Sequence, residues 1–340
     1  MIVGSAHSEY SARLAEWSRA REVLAGEDAI KVAAEKYLPR LDSQSGEEYG
    51  AYQARASFLG ATSRTLEEYL DLVFRKTPAT NLDGCGKSMQ AFVADCDLWG
   101  MDFVRYARRV LGEVLSVGRV GSLVLWDCVG ARPWVSSWRA EDVLNWEVER
   151  VGERSALVCV VLKDGERLRV FRMDGGTCFQ EVWMQMDGQW TLAERGALTR
   201  GDALVGFIPF VFHGPRHSRP EPDRLPLGDI IMTNLDHYRL DADYKHGLHF
   251  AALPTAWVTG FDKGAPLRVG SSAAWVSDIP GAAAGFLEFT GAGLAYIERA
   301  MERVEKRLAL LGAQMLERHR MLANPAPGLS CAGWEILCPV

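Results

Sequence analysis

Residues 161–195 read VLKDGERLRVFRMDGGTCFQEVWMQMDGQWTLAER, with Asp164-Gly165, Asp174-Gly175 and Asp187-Gly188 recurring about a dozen residues apart. Between these dipeptides lie short runs of Val, Leu, Phe and Trp, residue types that fit a pleated, half-buried surface. Asp-Gly supplies the positive φ angles of two-residue hairpin turns, so the spacing predicts consecutive antiparallel strands. Parallel strands would need a crossover of a dozen or more residues, and none is available. The same texture extends outward through VGSLVLWD (120–127), SALVCVVL (155–162) and GFIPFVFH (206–213), which read as further strands.

On either side the texture is helical. EYSARLAEWSRAREVLAGEDAIKVAAEKYL (9–38) is dominated by strong helix formers, and Gly26 followed by Glu27 and Asp28 marks one helix ending and the next beginning with acids in its first turn. In SGEEYGAYQARASFLGATSRTLEEYLDLVFRKTP (45–78), Thr62 or Ser63 is expected to cap a helix that gathers Leu66, Tyr69, Leu70 and Val73 on one side, with Pro78 closing it. A further helix is expected from about 88 to 116, before Gly118. The proline-rich GPRHSRPEPDRLP (214–226) must be loop. Beyond it a helix is expected at about 227–251, then a short irregular and strand-like stretch, then a helix at about 293–317. The fold class is therefore α+β. Its expected parts are a helical part at 1–118, an antiparallel β part at 119–226, helix, small segment and helix at 227–318, and an irregular tail at 319–340.

The last helix carries Ile297, Met301, Val304, Leu308, Leu311 and Met315 at alternating spacings of four and three, the a/d seam of helix-on-helix packing. Glu302 and Lys306 add an i, i+4 pair. An internal bundle helix accounts for the seam, with a long oligomer-forming helix as the alternative.

Composition limits the chemistry. The chain has 340 residues, of which 48% are hydrophobic and 24% charged, ordinary for globular packing. A net charge of −6 opposes tight binding to phosphate backbones, which depends on Lys and Arg releasing counterions. Seven cysteines, with no CxxC pair, suggest reduced thiols in a cytoplasmic setting rather than a zinc ribbon or disulfide framework. No apolar run approaches the ~20 residues that span a bilayer, so no membrane partner is expected.

Three histidines and three aspartates crowd into residues 236–249. At about 100° per residue, Asp243 and His249 lie about 120° apart and cannot converge on one ion, so no metal and no cofactor is expected there. Asp236, Arg239, Asp243 and His246 instead form one polar stripe with scope for mutual ion pairs, while Ile231, Leu235, Tyr238 and Ala242 form the opposing packing stripe. NLDGCGKS (81–88) ends like a phosphate-binding loop, but Asn81 stands where the first glycine is needed and VFRKTPAT before it is no strand. Glu47-Glu48 and Glu67-Glu68 are read as solvated surface. Tryptophans 126, 134, 138, 146, 183 and 190 could stack bases, but in a meander they are read as core or interface.

Four segments in succession resemble a family of tailed-bacteriophage portal proteins commonly catalogued only as a domain of unknown function. They are YLPRLDSQSGEEYGAYQARASFLGATSRTLEEYLDLVFRKTP (37–78), GFIPFVFH (206–213), LGDIIMTNLDHYRLDADYKHGLHFAALPTAWVTG (227–260) and FLEFTGAGLAYIERAMERVEKRLALLGAQML (286–316). The resemblance covers roughly residues 30–318. It implies a homo-oligomeric ring, usually of twelve subunits, at one capsid vertex. Double-stranded DNA would pass non-specifically through its channel, and terminase, head-completion or adaptor proteins and the major capsid protein would dock on it. It implies no active site and no cofactor, and places the protein in the virion, with assembly in the host cytoplasm. The N-terminal helices and meander would form a wing, 227–251 and 293–317 two stem helices, and 252–290 a clip. Asp236, Arg239, Asp243 and His246 then become channel or subunit-interface candidates, and the seam residues stem packing. A portal chain would continue into a helical crown, and NPAPGLSCAGWEILCPV (324–340) resembles none. Two other classes remain open: a metal-dependent hydrolase using His246 and His249, and a scaffold or adaptor built from the meander and its flanking helices.

Overall fold

The computed structural model describes residues 3–252, 255–260, 275–287, 291 and 293–323, with side chains of the last helix described as far as Gly312. In chain order the helices are α1 (Ser8–Ala25), α2 (Glu27–Ala33), α3 (Gly46–Arg55), α4 (Ala61–Val73), α5 (Lys87–Ala94), α6 (Phe103–Val117), α7 (Gly228–Ala252) and α8 (Leu294–Ala323). The strands are β1 (Val120–Asp127), β2 (Arg132–Arg139), β3 (Val143–Val151), β4 (Arg154–Asp164), β5 (Arg167–Asp174), β6 (Thr177–Met186) and β7 (Gln189–Ala197). Then follow β8 (Thr199–Arg200), β9 (Ala203–Leu204), β10 (Phe210–His213), β11 (Thr255–Thr259) and β12 (Ala283–Leu287). This is an α+β chain. Its residues fall into two compact units, one made of residues 1–25 and 60–231, the other of 26–59 and the described residues from 232 onward.

In the first unit β3 to β7 form a five-stranded antiparallel meander in sequence order. Each hairpin closes on two residues, since Asp164 pairs with Arg167, Asp174 with Thr177 and Met186 with Gln189. The Asp-Gly dipeptide occupies the turn centre only at Asp187-Gly188, where both φ angles are positive. At the other two turns the aspartate ends the strand, and Gly165 or Gly175 takes the first central position. The hairpins follow from glycine's tolerance of positive φ more than from the dipeptide. A second antiparallel sheet runs in the order β10-β1-β2. Here a Cβ at Gly121 would meet Phe210 Cζ at 2.0 Å, so only glycine lets that ring cross β1. Trp17, Val160, Val161, Leu162, Val170 and Phe171 are fully buried.

Two expectations for the helices need correction. The helix placed at 88–116 is two, α5 and α6, because Asp102 caps α6 by accepting from the Arg105 amide at 2.8 Å and the intervening residues turn. α4 begins two or three residues earlier than a Thr62 or Ser63 cap would allow, with Gly60 in the cap position and the Ser63 hydroxyl donating back to the Gly60 carbonyl at 3.1 Å. Of its apolar side, Tyr69 and Leu70 are buried while Val73 is exposed.

In the second unit α3 opens with a capping box: Ser45 Oγ accepts from the Glu48 amide, and Glu48 accepts from the Ser45 amide at 2.7 Å. Glu48 is thus a cap as well as a surface acid. The descending chain packs on α7 through Phe58, whose ring lies 5.8 Å from Tyr238 at 73°. β11 and β12 pair antiparallel from Thr255 opposite Leu287 to Thr259 opposite Ala283. α8 runs on to Ala323, past the expected end near residue 317.

Candidate functional site

α7 is the element on which the sequence placed most of its polar candidates. Ile231, Leu235, Tyr238 and Ala242 are all buried, as the packing stripe requires. On the polar stripe, Asp236 is exposed and accepts from Arg239 Nη1 at 2.9 Å, one of the ion pairs anticipated. Arg239 Nε donates to the Tyr37 carbonyl at 2.9 Å. Asp243 Oδ1 accepts from the Tyr52 hydroxyl at 2.6 Å; burial, and then this carboxylate, push the phenol well above its ordinary range. His246 stands edge-on to Tyr52 and to Phe250, at 5.1 and 4.8 Å, and burial lowers its pKa. Arg239, Asp243 and His246 therefore meet residues 37–52 of the same chain, and Asp236 is the member that faces solvent.

Several residues of this region went unread in the sequence. Asp241 is buried and accepts from the Ser57 amide at 2.6 Å and from Lys245 Nζ at 3.0 Å, while Lys245 donates to Ser57 Oγ at 2.6 Å. The i, i+4 spacing of Asp241 and Lys245 was a usable signal; Ser57, almost two hundred residues upstream, gave none. His237, also buried, contacts Glu305 on α8 through Nε2 at 3.2 Å. A Cβ at Gly247 would meet Leu294 Cδ2 at 2.5 Å. Residue 237 lies beside 305 and residue 247 beside 294, so α7 and α8 run antiparallel and touch at these two places.

Along α8, Leu308 is buried and Ile297, Met301, Val304 and Leu311 are half-buried, while the side chain of Met315 lies outside the described residues. Among the described residues, no group of three His, Cys, Asp or Glu side chains is placed to hold a metal ion. Lys87 is the first residue of α5, after a turn rather than a strand, so Gly86-Lys87-Ser88 lacks the frame of a phosphate loop.

Two arrangements in the first unit have the look of chemistry. Tyr106, Ser122 and His213 form a chain of hydrogen bonds of 2.5 and 2.8 Å linking α6, β1 and β10, with Ser122 and His213 on one face of adjacent strands. A serine beside a histidine suggests a nucleophile. The Ser122 and Tyr106 side chains are buried, however, and among the described residues His213 has no carboxylate to orient it, so the chain reads as a structural tie. Arg119 is 1% exposed, its guanidinium lying 4.0 Å from the Trp146 ring and 4.5 Å from Phe212, with none of its nitrogens hydrogen-bonded among the described residues. Burial lowers it to about 9, against the pull of Glu9 and Glu221. A cavity of ≈ 540 Å³ lined by His7, Glu9, Trp146, Glu147, Val148 and Glu221 opens nearby. Its acids do not converge with any nucleophile. Trp146 is buried as expected, and the other five tryptophans of the β segment are half-buried.

A family model described as a domain of unknown function (DUF4055) matches residues 226–329, the span holding α7, β11, β12 and α8. No curated protein matches the chain. Among solved structures, the chain is similar to one in the neck of an empty GTA particle computed with C6 symmetry, at TM-score 0.42 and 13% identity over 82% of this chain and 72% of that one. A chain in the virion of a native gene transfer agent particle is similar at TM-score 0.41 and 11% identity, over 83% of this chain and 72% of that one.

Proposed function

We propose that this chain is a structural, portal-like protein of a tailed phage or prophage, assembling as a ring at a capsid vertex through which DNA is packaged and ejected. The observation that carries the reading is the antiparallel pair α7 and α8, in contact at His237–Glu305 and Gly247–Leu294, with the two-stranded β11–β12 in the connection between them. Two long helices rising and descending around a small β element is the stem-and-clip arrangement that the sequence resemblance implies, and the family match falls on the same residues. The negative net charge suits a channel that lets phosphates slide instead of gripping them. In this reading Asp236 is the stripe residue left to face the channel or a neighbouring subunit. Terminase, head-completion proteins and the capsid protein are the macromolecules expected to dock, and no step is catalysed by the chain itself. Negative-stain imaging of the purified full chain tests this. Annular particles with a central hole are expected, and a monomer at every concentration up to the tens of micromolar would overturn the reading.

A further inference from the structure

The outward sides of α8 separate their charges. At about 100° per residue, Glu298, Glu302 and Glu305 fall within about 60° of one another on one flank of the seam. Arg299, Arg303, Lys306 and Arg307 fall on the other flank, about 120° further round. All seven are exposed, and the basic flank is closed at its two ends by Tyr296, 73% exposed, and Leu310, 57% exposed. α8 thus has three faces: apolar, acidic and basic.

This is not how a solvated helix face arranges its charges. Opposite signs at i, i+4 support a helix and like signs oppose it, yet here Glu298 is followed by Glu302, Arg299 by Arg303 and Arg303 by Arg307. Among the described residues, the polar contacts of these side chains are Glu305 with His237 at 3.2 Å and a long Lys306–Glu302 ion pair of 3.8 Å. Arg299, Arg303 and Arg307 have none there. Among the described residues the Arg299–Arg303–Arg307 repulsion has no compensating acid, and a complementary surface outside the chain would relieve it.

We propose that the basic stripe of α8, anchored by Tyr296 and Leu310, docks on the acidic stripe Glu298/Glu302 of α8 in a second copy of this chain. Each copy carries both halves of the contact on different faces, so the contact is heterologous: it propagates head to tail, as the contact that builds a ring must, where an isologous pair would stop at two. This rests on the ring reading above and names the surfaces that build it. Duplex DNA, the other polyanion the stripe could meet, has no counterpart on the acidic flank.

The test uses the full-length chain in two single-sign variants, Arg299→Glu/Arg303→Glu, acidic on both flanks, and Glu298→Arg/Glu302→Arg, basic on both. Mass photometry and negative stain should show association of each alone weakened at least tenfold, while an equimolar mixture assembles as alternating copies and comes apart as salt rises. The substitutions lie at exposed positions, so the helical melting of each variant should match the parent; should either fail to fold, the fourfold variant carrying both swaps is expected to assemble like the parent. Rings from either single-sign variant alone, or a mixture that stays apart where the parent assembles, would overturn the proposal and leave the ring reading standing. So would Arg299→Glu/Arg303→Glu rings that have lost only their retention of a duplex oligonucleotide, which would assign the stripe to phosphate. A parent that forms no oligomer overturns both.

Discussion

Tyr106, Ser122 and His213 tie a helix to two strands, the Tyr106–Ser122 bond buried and the Ser122–His213 bond partly so, and removing a partner of the buried bond costs more than the bond alone. Tyr106→Phe is expected to lower stability by about 1 kcal/mol in urea unfolding. Burial lowers the His213 pKa, so as pH falls below about 6.5 the unfolded chain takes up a proton that the folded chain resists. The stability linked to His213 is therefore lost as pH falls through about 6.5, and His213→Asn should flatten that dependence relative to the parent while lowering stability at pH 7.5. Arg119 poses the opposite case, a buried cation held by two ring faces and, among the described residues, no hydrogen bond. Arg119→Met keeps the length and removes the charge, so the midpoint of thermal unfolding should stay level or rise. A loss above about 1 kcal/mol would show that the guanidinium is better satisfied than its geometry indicates. None of this was legible in the sequence. The stripe on α7 was legible as positions, through the 3.6-residue period, but its partners Tyr37 and Tyr52 lie about two hundred residues upstream, and no local pattern joins them.

At the scale of elements, the hairpins show what a turn residue can reveal. Strands β4 to β7 could be read because glycine recurs where a two-residue turn needs positive φ. Gly176, at φ 80°, has no steric neighbour in the way, so Gly176→Ala should cost about 1 kcal/mol through backbone strain alone, measured by chemical denaturation. β2 carries no such mark: the β1–β2 turn holds Ala131 at positive φ, and β2 begins with Arg132-Pro133, residues that argue against a strand, whereas β3 does run into such a glycine, Gly152 at φ 64°, and still went unread. The break between α5 and α6 could have been read from Asp102, an N-cap residue just ahead of an apolar periodic run. The seam of α8 was legible because packing demands it. Leu308→Asp places a charge where the side chain is 7% exposed, and is expected to cost several kcal/mol and to abolish assembly, while Arg303→Ala on the exposed flank should change subunit stability by less than about 1 kcal/mol. Unchanged melting and unchanged particle size in Leu308→Asp would remove α8 from the stem.

At the scale of the molecule, net charge sets an expectation for DNA: fluorescence polarisation with a duplex oligonucleotide at about 150 mM salt should give binding no tighter than the weak end of the non-specific range, about 10⁻⁴ M. The class of fold could be read before any coordinates because hairpin spacing and helical period are local. The division into units could not, since one of them takes residues 26–59 and then nothing until 232. That interleaving has a consequence for synthesis. Tyr52, Phe58 and Leu38 are buried in the finished chain, yet Asp243 and Tyr238, which meet the first two, leave the ribosome only after residues 60–231 have been made. At 5–20 residues per second that is roughly 10–30 s during which an aromatic-rich helical segment has no cover. Loop closure over such a length adds little free energy beyond that of a shorter loop, so the burden is one of timing, and the nascent segment at 26–59 is where a chaperone, or aggregation, would first find this chain.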